Sequence, residues 1–113
     1  MDEQEIVSNG LEKEEVLALL SEIDKNPHLT QREISSRINI SLGKTNYLLN
    51  SLANRGVLKI KNFSRNGGKF KKVRYILTPK GMQEKLRITY HFLKKKEEEY
   101  NSLKKQWEQL RLA

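Results

Sequence analysis

Residues 30–54 read TQREISSRINISLGKTNYLLNSLAN, and this stretch decides the fold. Thr30-Gln31-Arg32-Glu33 is a capping box, in which the Thr30 hydroxyl accepts from the Glu33 N–H and the Glu33 carboxylate reaches back to the Thr30 N–H. It predicts a short helix that buries Ile34 and Ile38 and ends near Asn39. Ser41 is a second N-cap, opening a longer helix from Leu42 to about Asn54, before Gly56. Thr45, Leu48, Leu49 and Leu52 make the inner face of that helix. A capped short helix, a three-residue turn (Asn39-Ile40-Ser41) and a longer helix have the spacing of a helix-turn-helix.

Upstream, Val16, Leu19, Leu20 and Ile23 recur at helical spacing between Leu11 and about Lys25, and Asn26-Pro27 stops the run. Downstream the period switches to two. Val57, Leu58 and Ile60 lead into Lys61-Asn62-Phe63, and Lys72 to Leu77 alternates again. Ser64-Arg65-Asn66-Gly67-Gly68-Lys69 between them is a turn segment, so two strands form a hairpin with a basic loop. Thr78-Pro79 then caps and starts a last helix. With no later proline it can run about 30 residues, or roughly 45 Å. The fold class is therefore mainly α with a small β-hairpin: a winged helix-turn-helix followed by a long C-terminal helix. Residues 1–10 read as a flexible acidic lead-in, 11–78 as the winged domain and 79–113 as a coiled-coil dimerisation helix.

Charge adds a direction to this architecture. The chain carries 22 Lys and Arg against 14 Asp and Glu, a net of +8. Residues 1–24 hold eight acids and one base, so residues 25–113 carry 21 bases and six acids, a net of +15. Between Lys59 and Gln83 there is no acid. So strong a basic field draws nucleic acid or another polyanion whatever the fold. In a helix-turn-helix the second helix enters the major groove by its N-terminal half. The exposed candidates there are Ser41, Gly43, Lys44, Asn46, Tyr47 and Asn50. Lys44 suits a guanine edge or a phosphate, Asn46 and Asn50 suit adenine, and Tyr47 suits a phosphate or a thymine methyl. Gly43 weakens the helix but lets backbone approach DNA closely. On the wing and its flanks the candidates are Lys61, Arg65, Lys69, Lys71, Lys72 and Arg74, with Arg65 or Lys69 placed to enter a minor groove. An edge hairpin shielded by lysines against aggregation is the bland alternative.

The last helix carries a second pattern. Met82, Leu86, Thr89, Leu93, Lys96, Tyr100, Leu103, Trp107 and Leu110 alternate in steps of four and three, the seam of a coiled coil. A roughly 45 Å helix outreaches a domain of about 80 residues, so the seam predicts self-association through Leu86, Leu93, Tyr100, Leu103, Trp107 and Leu110. Ile88, Tyr90 and Phe92 lie off the seam, free to pack on the winged body.

Several classes are excluded. Hydrophobic residues make up 36% of the chain, below the roughly 45–50% of an average globular protein, so a core that buries every helix is not expected. The absence of cysteine removes disulfides and thiolate metal sites. Met1-Asp2-Glu3-Gln4-Glu5 is no secretory signal, and no run nears the roughly 20 apolar residues that span a bilayer, so a cytoplasmic protein without membrane contact is expected. Gly43-Lys44-Thr45 imitates the end of a phosphate-binding loop, but Ile38 stands where its first glycine belongs and no strand precedes it. His28 and His91 are isolated, leaving no metal site and no catalytic pair. The residues call for no enzyme activity or cofactor, and they name no small-molecule effector.

The stretch from about Leu17 to Gly81 resembles the MarR family of winged-helix transcription regulators. The resemblance is carried by Thr30 to Ser35, by Leu48-Leu49-Asn50-Ser51-Leu52-Ala53-Asn54-Arg55-Gly56-Val57-Leu58, and by Arg74-Tyr75-Ile76-Leu77-Thr78-Pro79-Lys80-Gly81. Ser41-Leu42-Gly43-Lys44-Thr45-Asn46-Tyr47-Leu48-Leu49 is similar to the branch associated with exopolysaccharide gene clusters. The family resemblance implies a bacterial homodimer on a palindromic or near-palindromic double-stranded DNA operator, and repression by blocking polymerase is the default mechanism. Two departures stand out. The wing reads Ser64-Arg65-Asn66-Gly67-Gly68-Lys69 in place of the family's Asp-x-Arg pair, and one long helix replaces a helical dimerisation subdomain. The family's phenolic-ligand pocket is therefore not carried over. A winged-helix protein-interaction module, joined to an assembly through its coiled coil and acidic N-terminus, is the alternative from another class.

Overall fold

The computed structural model describes the backbone of residues 13–65 and 70–113, and the side chains of these except 63–65 and 70–72. The acidic lead-in, the expected helix start at Leu11 and the loop tip with Lys69 lie outside the described residues, as do the side chains of Arg65, Lys71 and Lys72. Six elements follow in order: α1 (Lys13–Lys25), α2 (Gln31–Ile38), α3 (Leu42–Asn54), β1 (Leu58–Arg65), β2 (Phe70–Leu77) and α4 (Pro79–Leu112).

Local chemistry sets the boundaries. The Thr30 hydroxyl accepts from the Glu33 N–H at 3.1 Å, and the Thr30 N–H donates to Glu33 Oε1 at 3.1 Å. α2 ends at Asn39, whose left-handed backbone (φ 57°) lets the following Ile40 N–H donate to the Ser35 carbonyl at 3.1 Å. Ser41 caps α3 by accepting from the Lys44 N–H at 3.1 Å. After α3 the chain reverses through Gly56, whose φ of +75° suits a residue without a Cβ.

The three helices enclose one core. Val16, Leu19, Leu20 and Ile23 of α1 meet Ile34 of α2, Leu48, Leu49 and Leu52 of α3, Val57, Leu58, Tyr75 and Ile88. Each such aliphatic side chain contributes about 1.5–3 kcal/mol by leaving water. β1 and β2 pair antiparallel from Leu58↔Leu77 to Arg65↔Phe70. Ser64 and Arg65 therefore belong to the strand, not to the turn expected over 64–69, because the ladder stays in register to its end.

The hairpin base is locked to the start of α4. The Thr78 N–H donates to the Val57 carbonyl at 3.1 Å, and the Thr78 hydroxyl donates to the carbonyls of Gly56 and Val57 while accepting from the Gly81 N–H at 3.0 Å. Lys80 Nζ donates to the Arg55 carbonyl at 2.8 Å. A Cβ on Gly81 would stand 1.9 Å from the Val57 carbonyl oxygen, so only glycine admits this approach.

α4 runs 34 residues, from Pro79 to Leu112. Gly81, Glu84 and Ile88 are buried against the body and Phe92 is partly so, whereas every residue from Leu93 onward is exposed. Tyr90 was expected to pack on the body with Ile88 and Phe92; it is exposed instead, because two residues from Ile88 is about 200° around the helix. The molecule is accordingly elongated, 72 × 28 × 22 Å.

Candidate nucleic-acid interface

The inner face of α3 is fixed by Thr45, Leu48, Leu49 and Leu52, all buried, with Ala53 packed beside them, which turns the opposite side of the helix outward. Ser41, Gly43, Lys44, Asn46, Tyr47 and Asn50 are all exposed and form one surface running from the N-terminus of α3. Among the described residues, and apart from the adjoining backbone of its own helix, nothing lies within 4 Å of a Cβ built on Gly43. Glycine there costs the helix about 1 kcal/mol relative to alanine, and no internal contact requires it. That is the opposite of Gly81.

The polar side chains on this surface are held in a network. The Asn50 side-chain amide donates to the Asn46 carbonyl at 3.0 Å and to Asn46 Oδ1 at 3.1 Å. Asn46 Nδ2 in turn donates to Gln31 Oε1 at 3.4 Å. Gln31 also hydrogen-bonds the side chain of Tyr75 on β2, while burial pushes the Tyr75 phenol up from its ordinary value and this bond draws it partly back. The Tyr75 N–H donates to the Pro27 carbonyl at 3.2 Å. The first residue of α2 thus ties the reading surface of α3 to the wing. Lys44 Nζ sits 2.7 Å from Glu15 Oε1 on α1, so a cation expected to face DNA is paired with an acid of its own chain.

On the hairpin, Lys61 pairs across from Arg74, and both are exposed. Strand alternation places Lys59, Lys61 and Arg74 in one row, away from the row of Leu58 and Tyr75 that enters the core. Positions 65 and 72 fall in the same row as Lys61 and Arg74, and position 71 falls in the row of Tyr75. Among the described residues of this row there is no acid. On the terminal helix, Leu86, Leu93, Tyr100, Leu103, Trp107 and Leu110 are all exposed, with the Arg111 guanidinium 4.9 Å from the Trp107 ring centre.

Three participants were invisible in the sequence. Gln31 was legible only as the first residue of a helix, Glu15 only as one of many N-terminal acids, and Gly81 only as a glycine in a first turn. Among the described residues no group of three or more His, Cys, Asp or Glu side chains could hold a metal ion, and no helix is long and apolar enough to cross a membrane.

The geometry is that of a winged helix-turn-helix, and residues 16–59 match the family model described as winged helix-turn-helix DNA-binding. No curated protein sequence matches the chain. Among solved structures it is similar to the MarR of Staphylococcus aureus in complex with salicylate and kanamycin, at 21% identity and a TM-score of 0.60, over 77% of this chain and 56% of that one. The PcaV transcriptional regulator of Streptomyces coelicolor, in complex with its natural ligand, gives 19% identity and a TM-score of 0.58 over 70% and 54% of the two chains. A point mutant of MepR from Staphylococcus aureus, bound to an oligodeoxyribonucleotide, gives 16% and 0.60 over 95% and 82%. The chain spans a little over half the length of the first two of these proteins.

Proposed function

We propose that this chain is a cytoplasmic, homodimeric, sequence-specific regulator of the MarR type that binds double-stranded DNA and represses transcription by occupying its operator. α3 enters the major groove; the Lys61–Arg74 row of the wing, with Arg65 and Lys69, lies on the backbone and at the minor groove. The observation that carries the reading is the outer face of α3. It combines a glycine that nothing inside the protein requires with asparagines held in a fixed network, beside a wing row of bases. A plain three-helix core has no use for that combination, whereas a helix that must approach a base edge within hydrogen-bond distance does. The likeness of Ser41 to Leu49 to the exopolysaccharide-associated branch extends the proposal to genes for exopolysaccharide synthesis. The seam residues of α4 would join the two copies.

The test is a salt titration of binding to genomic fragments, beginning with DNA upstream of the protein's own gene. We expect tight binding to one fragment, a steep salt dependence, and two protected half-sites about one helical turn apart. Asn46→Ala should relax base preference and cost about 1–3 kcal/mol on the operator alone. Lys61→Ala should weaken all sequences alike and flatten the salt slope by about one unit. Equal losses on operator and random DNA for both variants would overturn this division. Weak, salt-insensitive DNA binding beside tight binding of a protein would overturn the function in favour of an interaction module.

A further inference from the structure

The seam of α4 lies on the side of the helix opposite the body. Gly81, Glu84 and Ile88 face the core, whereas Met82, Leu86 and Leu93 are exposed over the same turns, Leu86 at 73%. The seam therefore runs on past the domain, interrupted only by Thr89 and Lys96, to Leu110, which is 76% exposed. Two neutral or aliphatic faces could pair in several ways, and the seam's own residues choose among them.

We infer that a second copy of this chain covers the seam antiparallel, with the two-fold axis at the level of Glu98. This rests on the homodimer proposed above and adds its geometry. In an antiparallel coiled coil each a position meets a d position of the other helix. An axis at Glu98 stacks Leu86 on Leu110, Thr89 on Trp107, Leu93 on Leu103 and Lys96 on Tyr100. The two small or polar seam residues thus face the two bulky aromatics, and leucines face leucines. A parallel pair instead sets each residue against itself, placing Trp107 on Trp107, Thr89 on Thr89 and Lys96 on Lys96. That layering crowds one level, leaves another hollow and opposes two like charges.

The charge block lies at the centre of this pairing, and the seam layers set the register. Lys94, Lys95 and Lys96 precede Glu97, Glu98 and Glu99 directly, and Lys94–Glu97 and Lys96–Glu99 already pair within the helix at 3.7 and 3.6 Å. With the axis at Glu98, the acidic triplets of the two copies meet at the centre and are flanked on both sides by the lysine triplets. Lys96 then lies about 1.5 Å along the axis from Glu99 of the second copy and on the same side of the seam. The neighbouring seam register moves the axis between Lys94 and Lys95, sets Lys96 against Leu93 and leaves Leu110 unpaired. The next one in the other direction leaves Met82, Leu86 and Thr89 uncovered. Only the axis at Glu98 covers the seam from Leu86 to Leu110 and stacks leucine on leucine at both Leu86 and Leu93.

This pairing also spaces the two bodies. The segment of α4 that packs on the body, 81–92, is centred between 11 and 12 residues from the axis. At 1.5 Å per residue the two bodies are offset by about 35 Å along the rod and lie on its opposite sides.

The chain has no cysteine, so single introduced thiols report cleanly. Sedimentation of the intact protein comes first, followed by double electron–electron resonance on A113C carrying a nitroxide. An antiparallel pair about Glu98 gives a dimer with the labels about 45 Å apart, whereas a parallel pair brings them within about 20 Å. Under mild oxidation L93C mixed with L103C should form a disulfide-linked dimer, and neither should do so alone. A dimer with a short label distance, or with L103C linking to itself, overturns the inference and leaves the homodimer standing. A distance near 55 Å, with L86C linking to L103C, overturns the register. A monomer at every concentration overturns both this inference and the homodimer on which it rests.

Discussion

The two halves of α4 use one helical code for two purposes. From Pro79 to Phe92 the helix presents Gly81, Glu84, Ile88 and Phe92 to its own domain, and from Leu93 to Leu112 it presents nothing to it. Yet the seam continues through both halves without a change of phase. Burial in the first half is thus an addition to the seam, not an interruption of it. The helix carries two faces, one packed on its own domain and one, the seam, left in water.

The comparison breaks most readily at two aliphatic residues fifteen positions apart. Ile88→Ala removes a side chain that is 1% exposed and should cost about 3 kcal/mol, independent of protein concentration, in urea unfolding. Leu103→Ala, 65% exposed, should leave the unfolding of a dilute sample unchanged and raise the dissociation constant for self-association. If both variants shifted the dilute transition equally, the two faces would not be separate.

Two glycines sharpen the same contrast on a smaller scale. Gly81→Ala drives a Cβ into the Val57 carbonyl and should cost about 2 kcal/mol in thermal or chemical denaturation. Gly43→Ala meets no neighbour and should stabilise the fold by about 0.5–1 kcal/mol while weakening DNA binding. A Gly43→Ala protein that bound its operator as well as the parent would remove the reason given for that glycine. The smallest effect is expected at the ion pair between α1 and α3. Glu15→Gln frees Lys44 from a carboxylate 2.7 Å away and should tighten DNA binding a few-fold at low salt, with the gain vanishing as salt rises. Binding that weakened instead would mean that Glu15 positions Lys44.

Most of the architecture was legible because its boundaries are written in local chemistry. Thr30 with Glu33, Ser41 and Thr78 cap three helices by hydrogen bonds that need no distant residue, and the inner faces of α1 and α3 follow from spacing alone. The extent of β1 was less legible, since pairing of Arg65 with Phe70 depends on both strands at once. For the candidate interface, the outward face of α3 could be inferred from its buried face. The bridge from Asn46 through Gln31 to Tyr75 could not, because it joins residues 15 and 44 positions apart through the packing of three elements. Glu15 and Lys44 were legible as charges but not as a pair, for the same reason.

The uninterrupted course of α4 has a consequence for how such a chain can change length. The helix is a single gear between the body and the seam, one continuous element from Pro79 to Leu112. One residue inserted after Phe92 would turn everything beyond it by about 100°, swinging Leu93, Tyr100 and Trp107 away from the line of Met82 and Leu86. Seven residues would bring the two back within about 20° of alignment and lengthen the rod by about 10 Å. Length in this part of the chain therefore keeps the seam in phase only in steps near a whole number of turns, such as about seven or eleven residues, never one residue at a time.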